Sequence, residues 1–486
     1  MKYTNLTLVL LIIICGCKSS GKIAEKQNDK QDWVNYLFRN YIGEKPSASF
    51  IVIKEGKTLD CQSFGYADLE NKVLANSQTN YRLGSVTKQF TAMGVLILIN
   101  QGQLNYDTKL NEVITEFPDY GKEITIKDLL THRSGLQPYN KLYPKDAEKQ
   151  IVDKDVLNLL IAQDSLLFPA NSKYKYSNSG YAILAIIIER ISGRTFKDFM
   201  DKEIFNKIGM TNSTVYLNDL NIKNRAQGYK LNDTLYENND QNTWSAIQGD
   251  GGIYSSVSDY LNWDRSLYDE TLIKTELRND AFSNWDKNGK NDQAGYGFGW
   301  HIKIKNNIKY LIHGGLTTGF RNFSLRIPSE KITIVIYTNI SDYSYKDISN
   351  KGFALASLYS DNKLPMPIDL AIEREISNNG SENISKYYNE LTTNKNKYEI
   401  NPKDLTSLGF VYKRKKEDES CLNIFNLVIE KFPDYFGGYY GLAQYYKAEE
   451  NNQKAIQYYK IVTELGTSND QFQINYSKKM IKQLSE

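Results

Sequence analysis

Three short groups of reactive and polar residues occur in a fixed order along this chain of 486 residues and could together carry out acyl transfer. They are Ser85-Val86-Thr87-Lys88, Tyr176-Ser177-Asn178 and His313-Gly314-Gly315. A continuous apolar stretch after Lys88 favours a helix, and residues three positions apart on a helix lie on one face, so the lysine amine would reach the serine hydroxyl. A serine hydroxyl barely ionises near neutral pH and needs a neighbouring group to take its proton. The sequence therefore predicts that Ser85 is a nucleophile assisted by Lys88 and Tyr176.

Two assignments of the proton acceptor are open. Neutral Lys88 could be the base, because burial disfavours the charged form of a lysine. Alternatively, Tyr176 could act as a phenolate, because a neighbouring cation favours the charged form of a tyrosine. The sequence does not choose between them, and the two side chains are best described as one coupled unit.

The three groups resemble the signature of penicillin-recognising serine enzymes, in which S-x-x-K is followed by an S-D-N-type and a K-T-G-type sequence. Tyr-x-Asn and His-x-Gly in the second and third places are typical of class C β-lactamases and of their esterase and D-peptidase relatives. The resemblance covers roughly residues 34 to 350. It includes further blocks at 81–85, 124–136, 186–193 and 251–260.

The resemblance also assigns the polar residues of the site. It implies that Asn178 hydrogen-bonds Lys88 and the amide on the acyl side of the substrate. If residues 176–178 are extended, the side chains of Asn178 and Tyr176 point to the same face. His313 takes the place of the K-T-G lysine, so it is assigned to substrate binding. His132 and His301 have no such context, and we expect them to be structural: one a hydrogen-bonding turn residue, the other a strand residue.

The backbone after His313 is expected to contribute to binding and to catalysis. Gly314 and Gly315 have no side chain, so a substrate could approach this strand closely. Acyl transfer also needs donors for the negatively charged oxygen of the intermediate. We expect the N–H groups of Ser85 and Leu316 to form this oxyanion hole.

Alternating strand-like and helix-like segments predict an α+β fold with an antiparallel sheet flanked by helices. The expected strands lie at 49–54, 61–66, 323–327 and 332–338, and clear helical periodicity lies at 181–191 and 196–204. The resemblance implies the same serine β-lactamase-like fold: a sheet lobe, an all-helical lobe and a cleft between them. A small all-α domain is expected to follow.

The N-terminus predicts a lipid anchor. Residues 6–14 form an apolar core too short to span a bilayer, and Ile14-Cys15-Gly16-Cys17 resembles a bacterial lipoprotein cleavage site with Cys17 as the lipidated residue. An ordinary signal peptide cut nearby is the alternative. We therefore expect a protein attached to a membrane of the bacterial cell envelope, either periplasmic or in the outer membrane. The expected segments are a signal peptide at 1–16, a tether at 17–32, the hydrolase domain at 33–360, a helical connector at 361–401 and repeats at 402–486.

The expected C-terminal repeats rest on an offset of 34 residues. Leu408 and Leu442 correspond at this offset, as do Phe425 and Tyr459. The period and the pattern of small and aromatic residues match the tetratricopeptide repeat, with 471–484 as a capping helix. Two generic amphipathic helix pairs are the alternative. Two repeats are too few for independent stability, so they should pack on 368–391, on the catalytic domain or on both; their tyrosines could also contact a protein partner.

Composition narrows the function classes. The chain has 60 basic and 57 acidic residues and a formal charge of +3, which gives no electrostatic reason to expect nucleic acid binding. Three widely separated histidines and no C-x-x-C argue against a zinc site, and no cofactor is expected. We expect a serine hydrolase acting on esters or D-amino-acid peptides, with small molecules or peptides as substrates. A β-lactamase is the enzymatic alternative, and a repeat-based scaffold or sensor with a vestigial site is the alternative of another class.

Overall fold

The computed structural model describes residues 29–143, 149–285, 294–341, 345–362, 364–394 and 396–486. The expected signal peptide, Cys17 and most of the tether lie outside the described residues. By its contacts the chain divides into two compact units, Met1–Asn40 and Tyr41–Glu486. The described part of the first unit contains one helix, α1, over 29–38. None of the helices described is long and apolar enough to cross a membrane.

A seven-stranded antiparallel sheet forms the centre of the second unit. Its strands are β1 (Ala48–Lys54), β2 (Lys57–Phe64), β3 (Ala294–Tyr296), β4 (His301–Lys305), β5 (Ile308–Thr317), β6 (Phe320–Ile327) and β7 (Ile332–Thr338). Their order across the sheet is β3-β4-β5-β6-β7-β1-β2. The N-terminal hairpin thus joins the C-terminal strands through β1 and β7, whose residues are nearly all buried.

The strands predicted at 49–54 and 61–66 form a hairpin, and the turn between them is shorter than the predicted gap. Glu55 and Gly56 both have positive φ, of 51° and 69°, and form a two-residue connection. β2 therefore begins at Lys57, earlier than the predicted 61–66. The strands predicted at 323–327 and 332–338 are confirmed within β6 and β7.

Helices lie around this sheet, and their buried side chains share one core with those of its strands. The longer ones are α2 (Thr87–Asn100), α3 (Asp153–Ile161), α4 (Asn178–Ser192), α5 (Val257–Ser266) and α6 (Tyr345–Tyr359). Every residue of α2 from Thr87 to Leu98 is buried, so this helix is enclosed on all sides. Its apolar side chains share one core with those of α4. The predicted α+β class is confirmed.

Shorter elements connect these helices and strands. The short helices are Leu110–Val113, Ile126–Leu130, Tyr139–Leu142, Phe196–Met200, Asn206–Ile208 and Thr275–Ala281. The short strands are Tyr66–Asp68, Val73–Leu74, Tyr81–Arg82, Thr214–Val215, Tyr229–Asn232, Leu235–Asn238, Ile253–Ser255, Met366–Pro367 and Tyr398–Glu399. The helix predicted at 196–204 ends as an α-helix at Met200 and continues as a wider π turn over Asp201–Phe205.

The C-terminal region is helical, as predicted. It contains α7 (Ile368–Asn379), α8 (Ile384–Thr392), α9 (Pro402–Arg414), α10 (Asp418–Lys431), α11 (Gly437–Ala448), α12 (Asn452–Leu465) and α13 (Gln471–Ser485). The expected packing on 368–391 is confirmed: Ser385 Oγ donates to Glu430 at 3.0 Å, and the rings of Tyr388 and Phe432 meet edge to face. That these helices are tetratricopeptide repeats stays a prediction.

Candidate active site

Ser85 lies in a single helical turn, Gly84–Val86, immediately before α2. Gly84 makes the turn with φ of +54°, a conformation that residues with a side chain rarely adopt. A Cβ added at Gly84 would lie 3.2 Å from the backbone of Leu316. The turn that carries Ser85 therefore lies against the end of β5.

Gly315 allows the same close approach from the side of the strand. A Cβ at this position would lie 2.0 Å from the carbonyl oxygen of Leu83, a distance that no side chain could accept. We expected the glycines to give a substrate access to the backbone. For Gly315, the structure shows instead that the missing side chain makes room for the turn that carries Ser85.

The Lys88 amine lies beside the Ser85 hydroxyl. Its Nζ is 3.1 Å from Ser85 Oγ and donates to the carbonyl oxygen of Asp250 at 2.8 Å. The residue is completely buried in α2. Burial lowers the pKa of Lys88 from 10.5 to about 8, against a smaller opposing effect of the Asp250 charge. A substantial fraction of this amine is therefore neutral near pH 8 and able to accept a proton.

A loop that our sequence analysis did not assign to the site holds the Asp250 carbonyl in place. Tyr139 donates to Asp250 Oδ2 at 2.8 Å. The Asp153 carboxylate, at the start of α3, accepts the N–H groups of Gln248 at 2.8 Å and Gly249 at 3.1 Å. Burial raises the pKa of Asp250, and raises that of Asp153 to about 7. The block at 251–260 was visible in the sequence, but nothing there showed that the carbonyl of the preceding residue, Asp250, would face Lys88.

Tyr176 contacts both members of the Ser85–Lys88 pair. Its hydroxyl interacts with the Ser85 side chain, and its ring centroid lies 5.1 Å from Lys88 Nζ. Loss of solvation raises the pKa of the phenol well above 10, although the interaction with Ser85 opposes the rise. The residue as a whole is 36 % exposed, so its ring reaches the surface of the cleft.

Asn178 is the first residue of α4 and does not continue an extended segment, contrary to our expectation. Ser177 before it is extended and buried, so the side chains of Tyr176 and Asn178 lie on the cleft side. Asn178 lines the pocket beside Ser85. Within the part of the chain that the structure describes, no hydrogen bond joins it to Lys88. The polar contacts of the Lys88 amine are those with Ser85 and Asp250.

His313 lies in β5 but is buried behind the strand, 1 % exposed. Its Nδ1 is 2.9 Å from the carbonyl oxygen of Gly314, which can only accept, so Nδ1 carries the proton. Nε2 therefore accepts the hydroxyl of Tyr296 at 3.0 Å. Burial holds the pKa of His313 well below 6.5. His313 is a neutral residue with both ring nitrogens in use, and it does not line the pocket as a substrate ligand.

The structure brings together three histidines that are far apart in the sequence. The ring of His301 is 5.1 Å from that of His313 and lies parallel to the ring of Tyr176 at 6.2 Å. His132, with φ of 58°, accepts the N–H of Ser177 at Nδ1 at 3.1 Å. Burial lowers the pKa of His132 and brings that of His301 to about 4. These neutral rings position the Tyr176 segment, a role that spacing along the sequence could not reveal.

A pocket of about 200 Å³ opens beside Ser85. Ser85 and Leu316 both border it, and Leu316 is 56 % exposed at the end of β5. The two residues whose N–H groups we expect to form the oxyanion hole thus lie on neighbouring elements and border the same pocket, where both could reach one substrate oxygen. Asn140, Trp244 and Thr318 form further parts of its wall.

Comparison with known proteins shows the family of the chain. The sequence matches the family described as Beta-lactamase over residues 34–355. It is 32% identical over 332 residues to Penicillin-binding protein 4* of Bacillus subtilis, covering 65% of this chain and 72% of that protein.

Solved structures share the fold. The octameric penicillin-binding protein homologue from Pyrococcus abyssi superposes with a TM-score of 0.60 at 23% identity, over 74% of this chain and 80% of that chain. The D-amino acid amidase from Ochrobactrum anthropi superposes with a TM-score of 0.57 at 20% identity, over 67% and 96% of the two chains. From its matched residues and its fold, the chain belongs to the beta-lactamase family of serine hydrolases.

Proposed function

We propose that the protein hydrolyses esters or D-amino-acid peptides through an acyl-enzyme formed on Ser85. The observation that carries the proposal is the buried Lys88 amine, 3.1 Å from Ser85 Oγ and with a pKa lowered to about 8. In its neutral form this amine has a lone pair that can accept the serine proton across the same 3.1 Å contact. General bases work best when their pKa lies near the operating pH, and Lys88 meets this condition.

The reaction would proceed in two steps, acylation of Ser85 and hydrolysis of the acyl-enzyme. Lys88 takes the proton of Ser85 as Oγ bonds to the substrate carbonyl carbon, and the N–H groups of Ser85 and Leu316 stabilise the oxyanion. The bond to the leaving group then breaks, and the leaving group receives the proton through the Tyr176 hydroxyl. In the second half a water molecule gives up a proton to the same groups as its oxygen bonds to the acyl carbon. The bond between that carbon and Ser85 Oγ then breaks, and Oγ takes the proton, which restores the serine hydroxyl and the neutral Lys88.

The raised pKa of Tyr176 favours one of the two bases considered above. A phenol whose pKa lies well above 10 stays protonated at neutral pH and acts as a donor. The lowered pKa of Lys88 favours a neutral amine, which can accept a proton. We therefore assign the base to Lys88 and the proton relay to Tyr176.

The pocket supports substrates without a carboxylate beside the scissile bond. Neutral His313 supplies no cation there. Arg82 also borders the pocket, but it is 2 % exposed and donates to the Ser245 carbonyl. Esters, amides and peptides that lack this carboxylate need no such cation, and the fold is compatible with amide substrates because a D-amino acid amidase has it.

A β-lactamase or penicillin-binding activity is the second candidate. The family and Penicillin-binding protein 4*, with 32% identity, favour it. A penicillin carries a carboxylate, so this candidate requires a cation that reaches the substrate, whereas Arg82, which borders the pocket, is 2 % exposed and donates to the Ser245 carbonyl. A scaffold or sensor with a vestigial site is the third reading, and it requires that Ser85 be unreactive.

Covalent labelling distinguishes these candidates. We expect a fluorophosphonate to label the wild-type protein and not the Ser85→Ala variant, whereas Ser63→Ala, in β2, should label normally. Strong labelling by a fluorescent penicillin at low concentration would favour the β-lactamase candidate. Absence of labelling by both probes would favour a vestigial site.

Attachment to the cell envelope is part of the proposal. Cys17 after an apolar segment supports a lipid anchor, and the multiple acyl chains of a lipoprotein would hold the protein stably on a membrane. The C-terminal helices would then be available to a protein partner. Full-length protein should sediment with membranes and lose this behaviour in Cys17→Ala, while wild-type protein found wholly in the soluble fraction would remove the anchor.

A further inference from the structure

A side-chain bridge joins the two walls of the pocket beside Ser85. Asn242 Nδ2 donates to Thr318 Oγ1. Both residues line the pocket: Thr318 is in the turn between β5 and β6, and Asn242 is in the loop that leads to Trp244. The bridge therefore connects the strand that carries Leu316 to the opposite loop.

Each end of the bridge is fixed by its own surroundings. Gly319, next to Thr318, has φ of +72°, and a Cβ there would lie 2.5 Å from the carbonyl oxygen of Asn239. The N–H of Asn242 donates to Ser245 Oγ at 2.9 Å, and its Oδ1 accepts the N–H of Trp244 at 3.0 Å. The bridge lies at the surface, and each of its two residues belongs to a turn that is held by contacts of its own.

The position of Tyr176 indicates which part of a substrate the pocket holds. Tyr176 interacts with Ser85, but it is not among the described residues that line this pocket. In the proposed mechanism the leaving group departs on the side of Tyr176, which gives it a proton. Asn178, to which the resemblance assigns the amide on the acyl side of the substrate, does line the pocket. The pocket is therefore assigned to the acyl part of the substrate.

The size and lining of the pocket limit that acyl part. Its volume of about 200 Å³ is below the roughly 300–1,000 Å³ of pockets for drug-sized ligands. Asn140 and Asn178 border it, as do Tyr139 and Trp244, whose rings are 5.4 Å apart. Such a lining suits one short group that carries both hydrogen-bonding and apolar atoms.

We propose that the Asn242–Thr318 bridge closes the acyl pocket and restricts the enzyme to acyl groups about as large as one amino-acid residue. This inference rests on the proposed function, because it assigns the substrate class of the same Ser85 site. Longer peptides or fatty acyl chains on the acyl side would have to separate the hairpin turn from the Asn242 loop, at the cost of the bridge.

The test compares p-nitrophenyl acetate, butyrate, hexanoate and octanoate, which share one leaving group. Wild-type kcat/KM should be highest for acetate or butyrate and lower by about tenfold or more for octanoate. Thr318→Ala removes the hydroxyl and should raise the octanoate-to-acetate ratio of kcat/KM by about tenfold. Thr318→Ser keeps the hydroxyl and should retain the wild-type ratio. Thr275→Val, which removes a surface hydroxyl bonded to Glu270, is the matched control.

Several results would overturn the inference. Equal wild-type kcat/KM for acetate and octanoate would show that the pocket is not closed. An unchanged octanoate-to-acetate ratio in a folded Thr318→Ala enzyme would show that the bridge does not set the limit. Failure of the wild type to cleave any ester, together with no fluorophosphonate labelling of Ser85, would refute the proposed function itself and the inference with it.

Discussion

Protein atoms rather than water surround the Lys88 amine. The loss of solvent favours the neutral form, and the Asp250 carbonyl and Ser85 hydroxyl satisfy its hydrogen bonds. The lowered pKa also means that the unfolded chain binds more protons than the folded one between pH 8 and 10.5. The free energy of unfolding therefore rises with pH through this window, so at neutral pH this residue lowers stability for the sake of reactivity.

The activity should follow the ionisation of Lys88. Only the neutral amine accepts the Ser85 proton, so kcat/KM should fall about tenfold for each pH unit below the pKa and level off above it. With the pKa lowered to about 8, we expect the midpoint near pH 8. The pH profile of ester hydrolysis from pH 6 to 10 measures it. A flat profile between pH 6 and 8 would contradict Lys88 as the base.

Replacing Tyr176 by phenylalanine should separate its hydroxyl from its ring. The variant keeps the contacts with His132 and His301 but loses the hydroxyl that interacts with Ser85 and that we propose as the proton relay. We expect kcat to fall by about 10²–10⁴ with little change in melting temperature. Tyr236→Phe, in the hairpin strand Leu235–Asn238, is the control. Full activity of Tyr176→Phe would leave Lys88 as the sole proton carrier.

At the scale of elements, the site depends on how closely β5 approaches the start of α2. The turn that carries Ser85 and the strand that carries Leu316 meet at Gly84 and Gly315. A Cβ would be tight and strained at Gly84, which has positive φ, and would clash with the Leu83 carbonyl at Gly315. The buried helix α2 holds Lys88 at its first turn, so core packing fixes the amine against the nucleophile. The reactive groups are thus positioned by packed backbone and not by flexible loops.

Gly315→Ala should therefore damage the enzyme from outside the reacting groups. The new Cβ would clash with the Leu83 carbonyl and push β5 away from the Ser85 turn. We expect a loss of about 1–3 kcal/mol in the free energy of unfolding and a fall in kcat/KM of at least about 100-fold. Gly102→Ala, where nothing lies within 4 Å, should lower stability slightly and leave the activity unchanged. Normal kcat/KM in Gly315→Ala would contradict the close approach.

Local patterns predicted the elements better than the contacts between them. The spacing of Ser85 and Lys88 and the strands around the helical middle were visible because helix and strand periodicity is local. The burial of His313 was not, because its partner Tyr296 lies on another strand. The Asp250 carbonyl was invisible for a similar reason: a backbone oxygen has no residue-type signal, and only the fold brings it to Lys88.

At the scale of the whole molecule, the C-terminal helices are joined to the catalytic region through side chains. Asn350 in α6 donates to the buried Asp369 of α7 at 2.6 Å, and Lys305 of β4 forms an ion pair with Glu399. All residues that we place at the site lie before position 320. We therefore expect the helices to stabilise the catalytic region without contributing to its chemistry.

A chain that ends at Pro365 tests this division. It should fold and hydrolyse p-nitrophenyl acetate with kcat/KM close to that of the full chain. Loss of the Asn350–Asp369 and Lys305–Glu399 contacts should lower the melting temperature by about 5 °C or more. Circular dichroism and ester kinetics on both lengths measure the two effects. A folded but inactive short chain would show that the helices complete the site.

The acyl-enzyme on Ser85 is the central claim, and its most direct test is the mass of the protein during turnover. Protein quenched in acid during hydrolysis of a slow ester should carry one acyl group on the peptide that contains Ser85. Ser85→Ala should carry none and retain less than about a hundredth of the wild-type kcat, since loss of the nucleophile exceeds the 10²–10³ cost of one oxyanion donor. An acyl group on a different residue, or turnover by Ser85→Ala near the wild-type rate, would contradict the account.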